Sequence, residues 1–135
     1  LGPPVERPPV EQELRIAAGP SGLASARDYA ADAATEFGLD DAERFDVVLA
    51  VHEAVSNAMR HGAPDELGHI RLEANVGPER LTFTVHDSGE FRQPAAAPPD
   101  ADHGRGLEMI GVLMDEVVIT IGPAGTTIRL SRLRR

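Results

Sequence analysis

The sequence predicts a two-layer α/β sandwich of the α+β kind, with a mostly antiparallel mixed sheet covered on one face by helices. Two long helical segments follow a single short strand near the start of the chain. The remaining strand-like runs come in two pairs, each joined by a short turn built from Gly and Pro, as antiparallel hairpins are. A chain of 135 residues, 41% apolar, can bury one core without metal or disulfide staples. It contains no Cys, which removes disulfides, thiolate metal sites and thiol nucleophiles.

Each element has its own signal. LGPPVERPPVEQ, residues 1–12, carries four prolines and no initiator Met, and is expected to be a semi-rigid linker or disordered start belonging to a longer protein. Residues 13–135 form the domain. ELRIAA (13–18) reads as a first strand. An Ala-rich helix is expected from about Leu23 to Phe37, stopped by Gly38. Asp40, with Glu43 three residues later, has the spacing of a capping box, which places a second helix over 41–61, ending at Gly62. HIRLEANV (69–76) and RLTFTVHD (80–87) alternate as strands around the turn Gly77-Pro78-Glu79. Residues 88–106 make a polar loop rich in Pro, Ala and Gly, of a length that points to function or disorder. A short amphipathic helix is expected over 106–116. A closing hairpin, VVITIG (117–122) and TTIRLSRL (126–133), surrounds Pro123-Ala124-Gly125.

Charge and composition narrow the function. The formal net charge is −9, which argues against a nucleic-acid backbone as partner. All thirteen basic residues are Arg, so the Lys of a Walker-type phosphate loop is missing. Any phosphate site must use backbone N–H groups, helix dipoles, Arg and a metal ion. No apolar run reaches the roughly 18 to 20 residues of a membrane span, and no signal-peptide pattern opens the chain, so a cytoplasmic protein is expected.

On a helical wheel of about 100° per residue, Val47, Val48, Val51, Ala54, Val55, Ala58 and Met59 of the second helix gather on one arc. Glu53, Asn57 and His61, spaced by four, form a slanting polar row toward the rim of that arc. His61 also suits the last turn of a helix through the dipole, and His52, His69, His86 and His103 show no metal-ligand spacing. Asp87 ends a predicted strand, with Gly89 allowing close approach of the backbone to a ligand. Gly104 and Gly106 open the predicted third helix, where N–H groups and dipole make an anion site.

The order of these motifs resembles the histidine-kinase-like ATPase superfamily, the GHKL or Bergerat fold. The matching segments are Glu53-Ala54-Val55-Ser56-Asn57-Ala58 as the Asn box, Asp87-Ser88-Gly89, and Gly104-Arg105-Gly106-Leu107, with Gly125-Thr126-Thr127 before the last strand. EAVSNAMRHG, GRGLEMIGVLMDEVVI and GTTIRL resemble its anti-sigma-factor serine/threonine kinases most.

The resemblance implies ATP and Mg²⁺ as cofactors. It implies Asn57 as the metal ligand and Glu53 as general base on a substrate hydroxyl. Asp87 would receive the adenine amino group, Gly89 would let the base approach the backbone, and Thr127 would support the adenine pocket. Backbone N–H groups of Gly104, Arg105, Gly106 and Leu107 would meet the phosphates. The phosphoryl acceptor would be an anti-sigma-factor antagonist and the competing partner a sigma factor, with no direct nucleic acid and no membrane. The kinases of this group are homodimers that hold partners near the first helix, which makes Arg27 a candidate contact. The alternative is a non-catalytic module that binds nucleotide or sequesters a sigma factor, as one domain of a larger regulator. Departures from the family pattern are Glu90-Phe91 directly after Gly89 and a loop before the third helix that is short of glycine.

Overall fold

The computed structural model describes residues 13–61, 68–88 and 102–134. The Pro-rich start, Gly62, Gly89 and most of the long loop lie outside the described residues. The elements are β1 (Leu14–Ala17), α1 (Pro20–Phe37), α2 (Asp41–His61), β2 (His69–Val76), β3 (Arg80–Asp87), α3 (Asp102–Leu113), β4 (Glu116–Gly122) and β5 (Gly125–Leu133). Their order is the one the sequence predicts.

The five strands form one sheet in the order β1-β2-β3-β5-β4. All four pairings are antiparallel. A mixed sheet would need a parallel pair, and the connection through α3 avoids one among the described residues. β4 runs in the direction of β3, but the β4–β5 hairpin inserts β5 between them, so β3 meets an antiparallel neighbour.

Strand alternation sends Ile70 and Leu72 of β2, Leu81, Phe83 and Val85 of β3, and Ile128 and Leu130 of β5 to one face, where all are buried. The helices cover that face. α1 contributes mainly alanines, Ala26, Ala30, Ala33 and Ala34, closed by Phe37. α2 contributes Val47, Val51, Ala54 and Val55. Small side chains let α1 lie close to the sheet. At Gly22 the approach is closest: a Cβ there would sit 1.9 Å from the carbonyl oxygen of Ala17 and 2.6 Å from Cγ2 of Ile16. We expect Gly22→Ala to cost about 2 kcal/mol, because the obstacle is partly backbone and α1 must lift from β1. Urea denaturation reads this as a lower midpoint at an unchanged slope.

Local signals set the helix ends. α1 begins at Pro20, three residues before the expected start, because proline at the first helical position is pre-set for the helix. It ends at Gly38 in the left-handed conformation (φ 95°), where the N–H groups of Gly38 and Leu39 both reach the Ala34 carbonyl at 3.1 Å. The capping box forms as read: Glu43 N–H donates to Asp40 Oδ1 at 2.8 Å, and Asp40 N–H donates to Glu43 Oε1 at 3.3 Å. Arg134 clasps the end of α1, donating to the Phe37 carbonyl at 2.8 Å with its guanidinium 4.2 Å above the Phe37 ring. Tyr29 ties α1 to the sheet: its hydroxyl accepts the Ala74 N–H at 2.9 Å, on the stretch of β2 beyond its pairing with β1. Burial pushes the Tyr29 phenol above its usual pKa, and the Ala74 hydrogen bond opposes that rise.

Candidate functional site

One buried arginine fixes how the helices run over the sheet. Arg132, opposite Leu81 in the β3–β5 ladder, donates to the Leu113 carbonyl at 2.8 Å and lies 3.6 Å from Glu43. The start of α2, the end of α3 and the start of β3 therefore share one end of the sandwich. From Glu43, fourteen residues of helix rise about 21 Å to Asn57. From Leu81, six residues of strand rise about 20 Å to Asp87. Both climbs stop at the opposite end, while α3 ends beside Arg132 and extends about 16 Å from Leu113 back to its start. The segments bearing Asn57 and Asp87 thus reach the same end of the helix-covered face.

Polar groups interrupt the apolar core at that end. Asn57 is 5% exposed, and its Oδ1 has no hydrogen-bond partner among the described residues. Asp87 is 8% exposed and continues the inward-facing series Leu81, Phe83, Val85. Opposite it in register stands Thr126, 1% exposed, whose hydroxyl also lacks a partner among the described residues. A buried polar atom left unsatisfied costs about 1–3 kcal/mol, so two at one end of a core point to a missing partner. Glu53, half-buried, precedes Asn57 by one helical turn. Gly125 closes the floor: its φ is 130°, and a Cβ would fall 1.9 Å from the Asp87 carbonyl oxygen. An amide oxygen of this kind suits a hard cation, and a carboxylate beside a hydroxyl suits an amino group with ring nitrogens.

Comparison with known proteins decides the family. Residues 16–132 match the family described as the Histidine kinase-like ATPase domain. The chain belongs to this family. Its relatives include serine-protein kinases and anti-sigma F factors. It is 30% identical over 126 residues to the serine-protein kinase RsbW of Bacillus licheniformis, covering 83% of this chain and 72% of that protein. It is 29% identical over 97 residues to the anti-sigma F factor of a Thermoanaerobacter species, covering 64% of this chain and 68% of that protein. Among solved structures, that of the RsbU and RsbW domains of Rv1364c from Mycobacterium tuberculosis superposes with a TM-score of 0.69 at 27% identity. The match covers 91% of this chain and 32% of that longer one.

As a histidine kinase-like ATPase, the chain places two predicted features differently. Thr127 does not share a face with Asp87: it stands opposite His86 on the uncovered face, its Oγ1 3.1 Å from His86 Nδ1. Thr126 is the threonine beside Asp87. Alternation with Ile128 and Leu130 was the sequence signal for it, since every second residue of a strand turns the same way. The second difference concerns α3, which begins at Asp102, four residues before the expected start, and ends at Leu113. Gly104, Arg105, Gly106 and Leu107 lie within it, so the N–H groups of Gly106 and Leu107 fall inside the helical ladder. Those nearer the start remain available. A glycine costs a helix only about 1 kcal/mol, which does not forbid the earlier start. Arg27 projects from α1 and donates to His52 Nδ1 on α2 at 3.2 Å. His61 ends α2. Among the described residues no group of three or more His, Asp or Glu could hold a metal.

Proposed function

We propose that this histidine kinase-like ATPase domain is an ATP- and Mg²⁺-dependent serine/threonine protein kinase of the anti-sigma-factor type. It phosphorylates an anti-sigma-factor antagonist and controls a sigma factor that competes for the same protein. The observation that carries the nucleotide reading is the buried, unpartnered Oδ1 of Asn57 one turn beyond Glu53. The serine-protein kinases and anti-sigma factor among the relatives support the choice of acceptor and partner.

When bound, ATP supplies the phosphoryl group and Mg²⁺ the positive charge that spreads over its oxygens. Asn57 Oδ1 holds the metal. Glu53 receives the proton of the acceptor hydroxyl, and its reach to that hydroxyl matters more than its basicity. Asp87 accepts from the exocyclic amino group of adenine, which selects ATP over GTP, and the support first assigned to Thr127 passes to Thr126. Gly125 lets the chain run close to the base; Gly89 lies outside the described residues. The N–H groups at the start of α3, Gly104 among them, meet the phosphates. Residues 13–135 act as the catalytic domain of a cytoplasmic homodimer. Among the described residues no helix is long and apolar enough to cross a membrane.

Transfer of labelled phosphate from ATP to candidate antagonists tests the reading, comparing the parent with Glu53→Ala. Loss of transfer by about a hundredfold or more is expected for a removed base. Unchanged transfer would sink the role. Absence of transfer in the parent, with a sigma factor co-purifying, would favour the non-catalytic module, a reading consistent with the reduced set of free N–H groups at α3. Asp87→Asn separates recognition from folding: ATP affinity should fall about tenfold with the melting curve in place, because one accepting oxygen becomes a donor. Equal ATP affinity would remove Asp87 from the site.

A further inference from the structure

The uncovered face of the sheet carries a row of side chains that the proposed kinase reaction leaves unused. Arg15, Arg71, His86, Thr127 and Thr120 are register neighbours across β1, β2, β3, β5 and β4. Four of them, Arg71, His86, Thr127 and Thr120, line a concavity of about 250 Å³ with His69, Asp87, Ser88 and the turn at 122–125. Thr126 lies behind it, on the helix-covered side of the same strand end.

The chemistry of this row is opposite to that of the chain. In a protein of net charge −9, the concavity is lined by a guanidinium, two imidazoles and three hydroxyl-bearing residues, with Asp87 the one acidic residue at its border. Arg15 stands directly opposite Arg71, and like charges in that position repel. Glu13 offsets part of this at 3.3 Å from Arg71, through one of five guanidinium donors. We propose that the concavity binds a small tetrahedral oxyanion, held by Arg71 and the hydroxyls of Thr127 and Thr120 and coupled to a proton on His86.

The coupling follows from the two contacts of the imidazole. Nε2 of His86 lies 3.5 Å from Glu73 Oε1 and Nδ1 lies 3.1 Å from Thr127 Oγ1. In the neutral ring the carboxylate favours the N–H on Nε2, so Nδ1 accepts and the Thr127 hydroxyl must donate to it. Protonation puts a second N–H on Nδ1. The Thr127 oxygen then accepts from His86, and its hydrogen is released to donate to an anion. Around His86 stand Arg71, Glu73 and His69 from β2, Asp87 next to it in β3, and Thr127 and Arg129 from β5, and Glu73, 3.5 Å from Nε2, is in position to balance the added charge.

The test uses the full chain, isotope-labelled, titrated with sodium phosphate and with sodium sulfate at constant ionic strength while His86 and Arg71 side-chain resonances are followed. Sulfate keeps its charge between about pH 5 and about pH 8, so any pH dependence it shows belongs to the protein. Saturable shifts are expected, with sulfate binding about tenfold tighter at the lower pH. Arg71→Gln should weaken both anions about tenfold, and Thr127→Val, of the same shape, should remove most of the gain at low pH. Shifts that never saturate would mean an adventitious ion only and overturn the proposal, as would unchanged affinity in Arg71→Gln. Acetate binding as tightly as sulfate would overturn the tetrahedral assignment. Because the row lies on the other face from Asn57, failure here leaves the kinase reading standing.

Discussion

Gly125→Ala is expected to lose about 4 kcal/mol of stability and most of the nucleotide affinity together. The residue sits at φ 130°, a region that costs a side-chain-bearing residue about 1–3 kcal/mol. Its new Cβ would stand 1.9 Å from the Asp87 carbonyl oxygen and 2.9 Å from Ser88 Cα, both backbone atoms at a strand end, which adds about 1–3 kcal/mol of overpacking. Domains of this size are stable by only about 5–15 kcal/mol, so the loss is a large fraction of the whole. Relief of the clash must push Asp87 away from Thr126, and those two groups are the ones proposed to read the base. The measurement is a urea midpoint together with ATP titration. Gly122→Ala is the control three residues away: a Cβ there meets nothing within 4 Å, so stability should change by less than about 0.5 kcal/mol. Equal behaviour of the two variants would show that the Asp87 contact does not constrain the hairpin.

The contrast between these glycines shows what was legible in the chain and what was not. Elements announced by local chemistry were readable: Asp40 and Glu43 reach each other's N–H groups within one turn, and the bounds of α2, β2 and β3 follow from such short-range signals. The start of α3 was not, because a glycine pair reads as a loop until the surrounding turns are known to hold it in a helix. Strand pairing was harder still. That Gly125 touches Asp87, thirty-eight positions earlier, depends on β5 entering between β3 and β4, and nothing local encodes that insertion. The same register decides the roles of the two threonines. Thr126 faces the core and Thr127 faces His86, which moves one residue out of the proposed nucleotide site and makes it available to a second site on the other face.

Asn57→Leu should separate binding from folding most sharply, because the two effects have different signs. Leucine keeps the branching at Cγ and removes an amide whose oxygen is buried without a partner. Replacing an unsatisfied polar group by an apolar one of similar shape is neutral or stabilising, here by up to about 1 kcal/mol. If Asn57 Oδ1 is the protein's ligand to Mg²⁺, the same change removes that ligand, and phosphate transfer should fall by at least about a hundredfold, since the metal clamps the reacting group. A purely structural asparagine predicts the reverse, a clear loss of stability with activity reduced only in proportion to unfolded protein. Thermal unfolding without nucleotide, followed by the rise in melting temperature on adding ATP with and without Mg²⁺, distinguishes them. The parent should gain stability from the pair of ligands and the variant should gain little, since a ligand stabilises a fold only as far as it binds it. A variant that still gains the full Mg²⁺-dependent increment would place the metal on other groups and leave the orphaned oxygen of α2 without a role.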